Sequence, residues 1–345
     1  MKNEQITYPP LKAAKSFEAI HGYFRANNID AEELIKYTIE DGILPDSCKP
    51  LLANAMQANI RGEANVGNQE VTTFLLKAAL TGKWLEEKQV FKFDDTFFQR
   101  LFNTERICIT KDMWDYLPFK TFYVDLSACN VPLSQVGKRI DGFFVNIEKN
   151  KSNDYVITSL CSVNNAAGIT MNESSYSISN SESVSYPISK YKDENQKNLL
   201  ILFTQILNYL SIEKPDIRES DETKRTYKPR PEGSKPKITT KDMRKWEVGY
   251  RYGAEFRKAE NERREQNETS GHTGAAKSPH FRRAHWHTYN CGSKANPQKR
   301  LKWLDVIAVN MGDFGKDDKD KLPAVIRKTR PEEKPKKKKD SYERD

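Results

Sequence analysis

Between Leu199 and Leu210 the chain reads Leu-Leu-Ile-Leu-Phe-Thr-Gln-Ile-Leu-Asn-Tyr-Leu. Wound at 3.6 residues per turn, this stretch is apolar on almost every side, which marks a helix buried by neighbours rather than one floating on a surface. Such a helix needs a broad apolar partner. The runs Thr121–Leu126, Ile140–Glu148, Asp154–Val163 and roughly Tyr176–Ile188 are rich in β-branched and aromatic residues and read as strands. An antiparallel sheet with the helix covering one face is the economical arrangement. Ahead of it, Phe91, Phe93, Phe97, Phe98, Leu101 and Phe102 suggest a strand end followed by a short helix.

The first ninety residues have helical texture. Phe17, Ile20, Tyr23 and Phe24 recur at helical spacing, Asn28 or Asp30 can cap a second helix through Ile39, and further patterns run from Leu51 to Ile60 and from Glu70 to Trp84. His21 falls among these apolar positions, where a lone histidine is expected to be packed and hydrogen-bonded. Residues 213–240 are charged, with few large aliphatics, and read as a linker. From Lys241 to about Arg264 helical character returns, with Met243, Trp246, Tyr250, Gly253 and Arg257 on one stripe. Gly249 and Gly253, four apart, would let another element approach the backbone closely.

The expected organisation is therefore α+β. It comprises an N-terminal helical layer (1–90), a mixed core with a central antiparallel sheet and a buried helix (91–212), a charged linker (213–240), a basic helix plus β-hairpin (241–311), and a disordered Lys-rich tail (312–345) ending in Lys336-Lys337-Lys338-Lys339. Charge divides unevenly. Residues 1–212 hold 22 Lys and Arg against 25 Asp and Glu, whereas 213–345 hold 35 against 23. The basic C-terminal part suits a polyanion, although a solvated surface has the same composition. The five cysteines lack paired spacing, as reduced thiols would. No apolar run is long enough to span a bilayer, and the N-terminus has no signal-peptide core, so a cytoplasmic location is expected.

Chemistry concentrates in Ser278–Gly292, where His280, His285 and His287 lie beside Arg282, Arg283 and Trp286. At period two, Arg283, His285, His287 and Tyr289 share one face, while Ala284, Trp286 and Thr288 share the other. Gly292–Pro297 reads as a loose turn and Leu301–Val309 as the returning strand. Three roles fit the polar face. His-x-His aims two imidazoles alike, but a metal site needs a third ligand, for which Asp125 or His280 has no assigned position, so neither metal nor cofactor is expected. One imidazole as base and another as acid could cleave RNA, with Arg283 stabilising the phosphate, since histidine titrates near neutrality. The same residues equally suit binding of phosphate, RNA or peptide without chemistry.

Pro279-His280-x-Arg282-Arg283-x-His285-Trp286-His287-x-Tyr289, a following glycine, Leu301-Lys302-Trp303 and Val309-Asn310 together resemble the C-terminal signature of an anti-CRISPR family. That family suppresses production of the type V-A Cas effector nuclease. Tyr123-Val124-Asp125-Leu126-Ser127 and Ile140-Asp141-Gly142-Phe143 resemble its central strands, Leu210 to Ile217 its helix exit, and Gly249 to Arg257 its glycine-paired helix. Asn290 stands where a second aromatic is expected, no proline follows Trp303, and the first ninety residues show no match.

The resemblance implies a mobile-element inhibitor that recognises the effector's nascent N-terminal segment and causes loss of its mRNA, with the nascent polypeptide and the translating ribosome or mRNA as partners. On that reading His285, His287, Arg283 and Tyr289 are catalytic candidates, and Arg282, Arg283, His280, Arg251 and Arg257 contact RNA or peptide. Trp286, Trp303, Gly249 and Gly253 are the supporting residues. The alternatives are a mobile-element RNA-cleaving enzyme without an immune target and a basic RNA- or ribosome-binding module.

Overall fold

The structure, a computed structural model, describes residues 8–40, 46–61, 68–102, 108–110, 112–131, 134–135, 138–165, 168–178, 183–185, 194–212, 215–269, 280–282, 285–293, 296–304 and 307–309. Its helices are α1 (Pro9–Ser16), α2 (Glu18–Ala26), α3 (Ala31–Glu40), α4 (Lys49–Ile60), α5 (Asn68–Glu87), α6 (Asp95–Phe102), α7 (Glu194–Ser211), α8 (Asp221–Thr226) and α9 (Tyr250–Thr269). The strands are β1 (Gln89–Phe93), β2 (Cys108–Thr110), β3 (Thr121–Asp125), β4 (Ser134–Gln135), β5 (Lys138–Arg139), β6 (Gly142–Lys149), β7 (Tyr155–Asn165), β8 (Gly168–Ile178), β9 (Ser183–Ser185), β10 (Ile217–Glu219), β11 (Arg244–Val248), β12 (His280–Arg282), β13 (His285–Ser293), β14 (Asn296–Leu304) and β15 (Ile307–Val309). The fold is α+β.

Seven strands make one sheet in the order β10-β11-β1-β3-β6-β7-β8. The run β3-β6-β7-β8 is the expected antiparallel meander, but β1 lies parallel to both β11 and β3, so the sheet is mixed. Parallel pairing joins segments distant in sequence and leaves no local turn signal.

Alternation along the strands explains the three layers. Phe122, Val124, Phe143, Val145 and Ile147 enter one core with Leu200, Phe203, Leu207 and Leu210 of α7. Tyr123, Phe144 and Leu160 point into a second core with Leu75, Ala79 and Trp84 of α5 and with the helices before it. Phe143 meets Phe203 edge-on at 4.8 Å, and Trp84 meets Phe144 at 5.5 Å. Burying a side chain of this kind contributes about 1.5–3 kcal/mol, so two cores clamp the sheet between helices. The few polar groups of α7 have partners there. Asn208 accepts from Trp114 Nε1 at 2.9 Å, and the Tyr209 hydroxyl accepts from Asp216 N at 2.9 Å.

Two readings of the sequence are corrected. Lys241–Arg264 is not one helix: Arg244–Val248 is a strand between β10 and β1, and the helix starts only at Tyr250. Trp246 and Val248 alternate into the sheet's core, and five paired positions with β1 outweigh local helical preference. The stretch read as a linker supplies the edge strand β10 and helix α8, because Asp216 and Ile217 are buried against the body. Residues 227–243 are also tied down. The buried Lys88 ammonium reaches the carbonyls of Lys237 and Thr239 and the carboxylate of Asp242, while Arg230 donates to the carbonyls of Leu85 and Glu86 at the end of α5. Strand β8 begins at Gly168, earlier than expected, because this sheet-edge strand is mostly polar and lacks a buried strand's signature. The Lys-rich tail, 312–345, lies outside the described residues.

Candidate functional site

The His- and Trp-rich segment forms the expected hairpin, β13 with β14, in the register His285↔Leu304, Trp286↔Trp303, His287↔Lys302, Thr288↔Leu301, Tyr289↔Arg300 and Asn290↔Lys299. The ladder continues to Ser293↔Asn296, so most of the six residues expected as a turn belong to the strands. A two-stranded ribbon tolerates Pro297 because each strand has an unpaired edge where no N–H is needed. Preceding it, His280–Arg282 pairs with Ile307–Val309 as β12 and β15, which extends the ribbon. Strand β14 runs beside β2, so the ribbon lies against the short β2–β9 pair rather than in the main sheet.

Directly opposed residues of an antiparallel pair share a face. His285, His287 and Tyr289 therefore share theirs with Leu304, Lys302 and Arg300, and Trp286 shares the other with Trp303. His287 and Tyr289 are both exposed, Tyr289 by 38 %, and their rings meet edge-to-face with centroids 4.5 Å apart. An exposed tyrosine beside an imidazole offers a base or a peptide side chain a stacking surface with hydrogen-bonding tips. Arg283 lies outside the described residues. His280 and Arg282 stand on β12, in the ribbon but on a separate strand from the other candidates. Arg300 and Lys302 were missed by the sequence reading, because only the hairpin register assigns them to this face.

Among the described residues no group of three His, Cys, Asp or Glu side chains converges as a metal site requires. Asp125, considered as a third ligand, ends β3, where Tyr8 donates to Oδ2 at 2.9 Å and the Ser127 backbone and hydroxyl donate to Oδ1. Burial, and then the Asp125 carboxylate, hold the Tyr8 hydroxyl well above its usual range, so it remains a donor.

The other candidates gather where α9 leaves the sheet. Gly249 has φ +71°, the left-handed region, and its Cα faces the Phe97 ring so closely that no Cβ fits. Asp216, 3 % exposed, caps the helix from another segment: Oδ2 accepts from Arg251 N at 2.8 Å and Tyr252 N at 3.3 Å, and Oδ1 accepts from Arg251 Nε at 2.9 Å. One turn on, Gly253 leaves room for the Asp94 carboxylate, which accepts from Arg257 Nη1 at 2.7 Å and caps α6 through Phe97 N at 3.1 Å. The glycine pair thus seats a helix start on two carboxylates. Arg251 and Arg257 each hold one of them and so brace the joint between α9, α6 and the sheet. A Gly-x-x-x-Gly spacing signals close approach, but nothing local announces that the approaching groups are Asp94 and Asp216.

Comparisons with known proteins agree on this architecture. A solved chain described as the crystal structure of AcrVA2 matches with a TM-score of 0.55 over 87 % of this chain and 99 % of that one, at 19 % identity, a likeness of fold. No curated protein matches the sequence. Residues 91–311, from β1 through the end of the ribbon, match the AcrVA2-like family, described as the anti-CRISPR type V subtype A2 family. The central sheet, the glycine-seated helix and the His/Trp ribbon all fall within that match, and the chain belongs to the AcrVA2-like anti-CRISPR family.

Proposed function

We propose that this anti-CRISPR protein acts on the production of a type V-A Cas effector, recognising the effector's nascent N-terminal segment during translation and causing loss of the mRNA being translated. A mobile genetic element is its natural carrier on this reading, and the translating ribosome is its place of work. The observation that supports it is the ribbon face: two exposed rings, His287 and Tyr289, 4.5 Å apart, on a strand opposite Lys302 and Arg300. That combination suits simultaneous contact with a peptide and with RNA phosphates better than it suits a buried catalytic pocket.

In this account the paired positions of Trp286 and Trp303, on the other face, set the ribbon's register, and the Asp216 cap and the Asp94–Arg257 ion pair fix the helix leading to it. The test is an effector transcript measured in cells expressing the protein. His285→Ala with His287→Ala should abolish transcript loss in a protein whose thermal melting is unchanged. Undiminished silencing by the folded double variant contradicts the assignment. Purified protein that degrades unrelated RNA without translation identifies instead an intrinsic RNA-cleaving enzyme, with the histidines as acid and base.

A further inference from the structure

The notable property of the ribbon is what it lacks. From Thr269 to Leu304 the sequence contains no aspartate or glutamate, while it holds seven Lys and Arg and four His. In the body of the fold several cations are matched by carboxylates, among them Arg251 by Asp216, Arg257 by Asp94, Lys88 by Asp242 and Arg218 by Glu247. The ribbon supplies no such counter-charge from its own strands. A predominantly basic ribbon with aromatic rings set into it, its one acidic residue being Asp305 in the link between β14 and β15, matches the pattern by which proteins bind nucleic-acid backbone and bases together.

We infer that the ribbon face is a two-stranded platform for single-stranded RNA, with Arg300 and Lys302 on β14 as phosphate contacts and Tyr289 and His287 on β13 as the base-stacking row. The register sets this division of labour. Arg300 stands opposite Tyr289 and Lys302 opposite His287 in the register, so each ring's position on β13 is matched by a basic residue's position on the same face of β14. Successive same-face residues on a strand are about 6.6–6.8 Å apart, so rings and cations form two parallel rows that an extended strand of nucleotides can follow.

The exposed, edge-to-face rings require a base with a free face, which single-stranded RNA offers and a duplex keeps stacked. The deep, narrow major groove of an RNA duplex excludes such a ribbon, whereas the major groove of DNA would admit one. An RNA ligand therefore predicts a preference for unpaired over paired strands. The inference rests on the proposed function, since it names the RNA-contacting half of that activity, but its test needs neither effector nor ribosome.

The experiment is fluorescence anisotropy of the full-length protein with a labelled single-stranded RNA of about 12 nucleotides, repeated across a salt series. Controls are the same RNA as a duplex, the corresponding DNA duplex, and an acidic peptide. The platform predicts binding of the single strand over both duplexes. Arg300→Gln with Lys302→Gln should lower the magnitude of the log-affinity against log-salt slope by about 1.4, two phosphate contacts at about 0.7 each. Tyr289→Ala should weaken binding about tenfold with the slope unchanged, and Tyr289→Phe, which keeps the ring, should bind as the parent does.

Equal affinity for single strand and duplex, tighter binding of the acidic peptide, or an unchanged slope in the double variant overturns the inference. An unchanged melting temperature of the Gln double variant excludes a folding defect, and Arg300→Lys with Lys302→Arg should keep the parent's slope. An RNA-binding result in a protein that fails to lower effector transcripts would refute the proposed function and leave this inference standing. Transcript loss by a protein that does not bind the single strand would do the reverse.

Discussion

Replacing Gly253 with alanine sets two physical effects against each other. Alanine at a helix interior is favoured over glycine by about 1 kcal/mol, so on propensity alone Gly253→Ala stabilises the protein. The structure predicts the opposite. A Cβ at this position would overlap the Asp94 carboxylate, which is held by Phe97 N and Arg257. Moving that carboxylate removes the cap of α6, at about 1 kcal/mol. The Arg257 pair adds at most about 1 kcal/mol, because the arginine is nearly half exposed and solvent screens the interaction. Crowding in a packed joint costs about 1–3 kcal/mol more.

Against the propensity gain, the net is a destabilisation of about 1–4 kcal/mol, or a melting temperature lower by several degrees at about 2–4 °C per kcal/mol. Denaturation followed by circular dichroism reads it directly. Asp94→Ala supplies the decisive background: with no carboxylate to meet, Gly253→Ala should become neutral or stabilising, which gives a double-mutant coupling above about 1 kcal/mol. If Gly253→Ala stabilises the parent protein, the proposed seating of α9 on Asp94 is wrong.

Other perturbations have equally definite signs. Asp216→Ala removes the cap of α9 and leaves Arg251 without its carboxylate, and it should cost about 2–4 kcal/mol in chemical denaturation. Lys88→Met strands the Asp242 carboxylate and two carbonyls beneath residues 227–243, and should destabilise by about 3 kcal/mol while speeding proteolysis within that segment. Burial lowers the pKa of His21, outweighing the bond from Nε2 to the Ala78 carbonyl at 2.9 Å, and Nδ1 is buried with no hydrogen-bond partner among the described residues. The unfolded chain then binds a proton more readily than the folded one. Stability should be full above about pH 6.5 and decline as pH falls through that value toward the lower folded pKa. His21→Gln should remove that step from a stability profile measured between acid and neutral pH.

Much of this molecule was legible without coordinates, for reasons that particular residues make clear. The N-terminal helices and α7 follow from apolar spacing. Strands β3, β6 and β7 follow from dense β-branched and aromatic runs whose two faces are both buried. The hairpin follows from the alternation of Arg283 through Tyr289 together with the returning run after Leu301. Strand β11 was not legible because Met243, Trp246 and Tyr250 mimic a helical stripe across a strand, a turn and a helix start, and only pairing with the distant β1 separates them. Gly249 and Gly253 signalled close approach, but their spacing concealed two different reasons: a left-handed backbone at one and a carboxylate at the other. Arg300 and Lys302 had no periodic partner in sequence, and the exact register of the ribbon was needed to set them opposite Tyr289 and His287.

The central claim is that effector production is lost through recognition of a chain in the act of translation. Its most direct measurement is the abundance of a type V-A effector transcript co-expressed with this protein, with the start codon intact or replaced by one that blocks translation. The account predicts loss of the translated transcript and sparing of the untranslated one. Equal loss of both, or loss of neither, contradicts it.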